Sequence, residues 1–118
     1  MIYDNYENFK HATDKMIEKY KGKMGCYLSL TGYVRDYDII DGKKVPSTGM
    51  EVPDISKEIA EVLRDAFERF DVIDIMVYHN KGNLKVGDII TSIYVFAKHR
   101  KEGFLACQYV IDQLKKYH

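Results

Sequence analysis

Tryptophan is absent from this 118-residue chain, and proline and cysteine occur only twice each. Cys26 and Cys107 have no CxxC spacing, which argues against a disulfide scaffold and a structural zinc site. Neither charge sign is in excess: eighteen Lys and Arg balance eighteen Asp and Glu. General nucleic-acid binding draws on a basic excess, so none is expected. The same balance offers little repulsion against self-association. No apolar run approaches the roughly twenty residues needed to cross a bilayer. The first residues carry Asp4, Glu7 and Lys10 where a secretory signal would be apolar. The expectation is a cytoplasmic protein with no membrane contact. His79 and His99 have no carboxylate or thiolate at ligand spacing, so no metal and no cofactor is expected.

What is present is ordinary for a globular chain, 46% hydrophobic and 31% charged, and the length suits one domain over residues 1–118. Phe9, Ala12, Met16, Ile17 and Tyr20 recur at three- and four-residue steps, predicting an amphipathic helix over 8–20 that stops at Gly22 and Gly25. Residues 26–35 read as a strand with a bulge or close approach at Gly32. Residues 36–46, with Asp41-Gly42, read as a hairpin or mobile loop. A short strand is expected over 48–52. A helix with Asp54 as N-cap follows, its apolar stripe formed by Ile55, Ile59, Val62, Leu63, Ala66 and Phe70. Residues 72–78 predict a strand, 79–88 a turn-rich connector, 89–97 a buried strand and 101–117 a last helix. This order implies an α+β sandwich with helices packed on a mixed, mostly antiparallel sheet.

Ala97-Lys98-His99-Arg100-Lys101 joins that last strand to that last helix. An imidazole and a guanidinium thereby stand at the carboxyl end of a strand, where ligands of α/β architectures collect. Taken alone, the pair reads more readily as an exposed polar corner. Plain structural readings exist for the other polar residues too. Arg35 suits a strand-end surface charge, His79 an ordered turn, and His11 solvent. Lys115 and Lys116 complement a helix dipole at its C-terminal end. Cys26 and Cys107 suit packing positions.

Four blocks, in order, carry a family resemblance over roughly residues 25–118. They are Thr31-Gly32-Tyr33-Val34-Arg35-Asp36, His79-Asn80-Lys81-Gly82-Asn83-Leu84-Lys85-Val86-Gly87-Asp88, Ala97-Lys98-His99-Arg100, and Phe104-Leu105-Ala106-Cys107 with Asp112-Gln113-Leu114-Lys115. Together they resemble the large, catalytic subunit of molybdopterin synthase. The resemblance implies a homodimer that binds two copies of a small ubiquitin-like sulfur-carrier subunit. It implies sulfur transfer from the carrier's thiocarboxylate to cyclic pyranopterin monophosphate, giving molybdopterin, in molybdenum cofactor biosynthesis. It assigns Lys115 and Arg35 to catalysis, and His99, Arg100 and Lys116 to the pterin phosphate. These residue types suit that chemistry, since guanidinium forks match phosphate oxygens and His and Lys can move protons. Arg35, His99 and Arg100 are expected to converge on one phosphate-sized site.

The sequence also departs from the family pattern. The family's Pro-x-Trp-Lys segment, with a second lysine, has no counterpart here. The family's Glu-x-Tyr-like stretch reads Met50-Glu51-Val52, and Asn80 stands where an arginine is common. The alternative is a non-catalytic relative that binds anions or pterins, or serves in assembly.

Overall fold

A computed structural model of the chain describes residues 1–117. Eleven elements follow in order: β1 (Ile2–Tyr3), α1 (Tyr6–Lys19), β2 (Cys26–Tyr33), β3 (Tyr37–Ile40), β4 (Lys43–Pro46), β5 (Gly49–Val52), α2 (Ser56–Arg69), β6 (Asp74–His79), β7 (Gly82–Lys85), β8 (Ile89–Ala97) and α3 (Arg100–Lys115). The main sheet has the order β1-β6-β8-β2. Only β1 and β6 run parallel, and the other neighbours are antiparallel. The mixed, mostly antiparallel sheet expected from the sequence is therefore present.

Alternation along the two central strands splits the core into two layers. Ile75, Val77, Ile93 and Val95 face α2 and α3, meeting Ile59, Val62, Leu63 and Ala66 of the former and Ala106, Val110 and Leu114 of the latter. Met76, Tyr78 and Phe96 face the other way and pack on Phe9 of α1. Each buried Val, Leu, Ile, Met or Phe among them contributes about 1.5–3 kcal/mol relative to exposure. Cys107 sits in the first layer, and burial pushes its thiol pKa upward, as befits a packing residue.

β3 and β4 form a separate two-stranded ribbon, and β5 pairs only with β7. Asp41 and Gly42 turn the ribbon with positive φ angles of 51° and 76°, which a two-residue hairpin loop requires. The hairpin expectation is met. The bulge also falls where expected, at the register shift between Gly32 and Tyr33. The alternative at Gly32, a close approach, does not apply: a Cβ there would meet only a Thr91 methyl at 3.9 Å.

Three elements differ from the sequence reading. β1 is too short to show periodicity. β7 lies inside the turn-rich connector, where its partner β5 rather than its own pattern makes it a strand. The N-cap of α2 is Ile55, not Asp54. The Asp54 carboxylate still accepts from the Ser56 amide at 3.0 Å and from the Ser56 hydroxyl, one position further out.

Those two bonds, the hydroxyl one first, with Lys81 3.5 Å away, lower the Asp54 pKa from 3.8 to about 2. Between these values the unfolded chain binds more protons than the folded one. The stabilisation is therefore present above the unfolded value and lost as pH falls toward the folded one. Asp54→Asn is expected to lower the melting temperature at pH 7, and the difference from the parent should close on acidification through that window. A pH-independent difference in thermal melts would contradict this assignment.

Candidate functional site

The backbone at Arg35 is fixed by its neighbours. Val34 is buried with Val52 and Leu84. Its amide donates to Asp88 O at 2.9 Å, and its carbonyl accepts from the Gly87 amide at 2.8 Å. This anchor leaves Tyr33 and Arg35, on either side, exposed. The Arg35 guanidinium stacks on the Tyr37 ring, 5.1 Å from its centroid, and Lys44 lies over the same ring at 4.4 Å. An arginine held on an aromatic face is pre-aimed, which reduces the entropy lost when it binds an anion.

Lys115 occupies the same end of the sheet. It borders an apolar hollow of about 170 Å³ with Leu30, Gly32, Ile90, Thr91, Ile93, Ile111 and Leu114. Ile90 also walls the neighbouring 270 Å³ hollow that contains Arg35, Ser47 and Gly49. Ile90 is thus common to the hollows that Arg35 and Lys115 border. Lys116 is one helical step further round, and its Nζ donates to Gln113 Oε1 at 3.1 Å. The structure does not bring Lys116 to either hollow.

His99 and Arg100 lie at the opposite end of the sheet. With Gly25, Cys26, Lys98 and Lys101 they line an open basin of about 470 Å³. His99 is the N-cap of α3 and is exposed, as are Lys98, Arg100 and Lys101. Gly25 closes the basin floor: its amide donates to Ala97 O at 2.9 Å, and a Cβ there would collide with the Lys98 carbonyl. Only glycine allows that approach.

The antiparallel register settles the relation between the two clusters. Cys26 pairs with Ala97 and Tyr33 with Ile89. Basin and hollow are separated by the length of β2, roughly 23 Å at the usual strand rise. Arg35 and His99-Arg100 therefore do not converge within one chain, contrary to the sequence expectation. The physical reason is direction: both follow the carboxyl ends of strands, but β2 and β8 run oppositely.

Sequence reasoning missed Tyr37 and Gly25. The spacing of Arg35 and Tyr37, two residues apart, was the available signal for the first. The second depends on a backbone contact with no sequence signature. His79 is buried at the end of β6 beside a 290 Å³ hollow with Asp4, Asp54, Ser56 and Lys81. His11 is exposed.

The sequence model of the MoaE protein family matches residues 5–117. The chain belongs to the MoaE family. An uncharacterized protein of Methanocaldococcus jannaschii is 53% identical over 119 residues, covering 100% of both chains. The molybdopterin synthase catalytic subunit of Pyrococcus abyssi is 37% identical over 94 residues, 78% of this chain and 62% of that protein. This chain thus spans less than two thirds of that curated catalytic subunit. Among solved structures, the molybdopterin biosynthesis MoaE protein of Burkholderia ambifaria superposes with a TM-score of 0.72 at 26% identity, covering 97% of this chain and 74% of that one. A complex of subunits 1 and 2 of molybdopterin-converting factor from Helicobacter pylori shares the fold, with a TM-score of 0.65 at 17% identity over 90% and 70% of the two chains.

Proposed function

We propose that residues 1–118 form one molybdopterin synthase catalytic-subunit domain that works in the cytoplasm as a homodimer, with each active site shared between two copies. The observation that carries this reading is the unpaired edge of β2. That strand ends the main sheet, so alternate residues turn their backbone N–H and C=O groups outward. Tyr27, Leu30 and Tyr33 are exposed along it, at 44%, 42% and 56%. A strand that pairs antiparallel with its own copy generates a closed two-fold dimer. Centred on Ser29, such pairing sets Gly32 of one copy opposite Cys26 of the other, and Tyr33 opposite Gly25. The Arg35 and Lys115 end of each chain then meets the His99-Arg100 basin of the second copy. The α3 face bordering this edge is self-complementary in the same sense, with Arg100 and Phe104 at one end and Ile111 and Lys115 at the other.

In the assembled site, Arg35 and the second copy's Arg100 hold the pterin phosphate. Lys115 stands over an apolar floor where the carrier's thiocarboxylate would arrive. Each transfer exchanges oxygen for sulfur: a substrate C–O bond is replaced by C–S, and the carrier returns as a carboxylate. No net oxidation occurs, and no cysteine of this chain is needed. In this reading the second copy's His99 and Lys115 supply the protons for the departing oxygen.

The test is reconstitution. The purified chain, mixed with a thiocarboxylated ubiquitin-like carrier and cyclic pyranopterin monophosphate, should form the dithiolene with two carriers consumed per product. Substrate binding without product would favour the non-catalytic alternative, and no binding would contradict both.

A further inference from the structure

The β3–β4 hairpin is the least supported part of the chain. It hydrogen-bonds as a ribbon only with itself, and two-stranded ribbons are marginal in water without a covering surface. Ile39 and Ile40 are successive residues, so they point to opposite faces, and both are exposed, at 58% and 55%. Tyr37 and Val45 are half-buried, but neither isoleucine is covered within the chain. At the far end of β2, Phe104 and Leu105 in the first turns of α3 are likewise exposed, at 61% and 45%. Gly103 seats that end of α3 against Leu28 and Cys26, so these two apolar side chains stand beside the start of β2.

We propose that the hairpin is an exchanged arm, which in the homodimer lies against the α3 N-terminus of the second copy and roofs its His99-Arg100 basin. The inference rests on the β2-edge dimer proposed above. In that arrangement the chain leaving β2 at Tyr33 runs directly past the second copy's Cys26. The four-residue ribbon reaches about 13 Å further, over the region where the second copy's Phe104 and Leu105 are exposed. Charge agrees with the contact. Asp36, Asp38 and Asp41 are exposed on the arm, and Lys98, Arg100 and Lys101 are exposed around the basin. None of these six forms an ion pair within the chain, among the described residues. The arm's own cations are partly engaged, with Lys44 over Tyr37. The arm would also carry Tyr37, and with it Arg35, into the shared site, so that substrate access depends on its seating.

The experiment uses the full chain with Cys26→Ser as background. Ile40→Cys and Phe104→Cys are introduced into separate samples, mixed, and oxidised mildly. A disulfide-linked pair should form on mixing, well above the yield of an Ile40→Cys and Phe67→Cys control. Independently, Ile39→Ser with Ile40→Ser should weaken dimerisation at least about tenfold by sedimentation, with unchanged circular dichroism. Three results would overturn the arm. One is no linkage above control while the dimer persists. The second is an internal disulfide when both cysteines are on one chain. The third is linkage that appears only when the carrier protein is added. A parent chain that is monomeric would overturn the dimer reading together with the arm, and sulfur-transfer activity is scored separately from both.

Discussion

Lys115→Ala should reduce sulfur transfer at least a hundredfold, about 2.7 kcal/mol of transition-state stabilisation, while leaving the fold untouched. The two halves of that expectation come from different features. Lys115 is exposed on the last turn of α3, and surface substitutions of this kind change stability by about 0.5 kcal/mol or less. Its position relative to Leu30, Ile90, Ile93 and Ile111 is why the proposed role predicts a large catalytic effect. Once carrier and substrate cover that apolar floor, water is excluded and a single cation interacts strongly with the thiocarboxylate anion. Lys115→Arg keeps the charge but not the compact ammonium, so partial activity is expected. Equal product formation by Lys115→Ala and the parent, measured under single-turnover conditions, would remove Lys115 from the mechanism.

The helices and central strands were legible in the sequence because their periodicities are strong. Ile59, Val62, Leu63 and Ala66 mark one face of α2 without ambiguity, and the β-branched run 89–97 matches β8 residue for residue. Features that depend on partners in space were not legible. β7 contains Gly82, Asn83 and Lys85 and is a strand only because β5 lies alongside. Asp54 precedes the cap because Ile55 fills that position while the carboxylate bonds Ser56. Phe104 falls on the helical repeat of α3 yet is the most exposed of the exposed large apolar side chains. A repeat tells which face a residue is on, not whether another chain is needed to cover it.

The proposed site is legible in composition but not in assembly. Arg35, His99, Arg100 and Lys115 each stand in a motif that the resemblance supplies. Their grouping into two clusters follows from the opposite directions of β2 and β8, which only the pairing reveals. In the proposed reading, Arg35 with Lys115 at one end and His99 with Arg100 at the other are two half-sites per chain. A two-fold axis across the β2 edge would convert them into two whole sites per dimer.

Mixed-dimer complementation tests that claim most directly. Arg35→Ala and Arg100→Ala should each lose nearly all sulfur transfer as pure dimers, because every site then lacks one of its two guanidinium groups. Co-denatured and refolded together in equal amounts, they should recover about a quarter of parental activity. Half of the random dimers are mixed, and each mixed dimer has one site with both arginines intact. Recovery near that fraction is the predicted result. A mixture no more active than its components, with mixed dimers demonstrated by mass spectrometry, would contradict a site shared between copies.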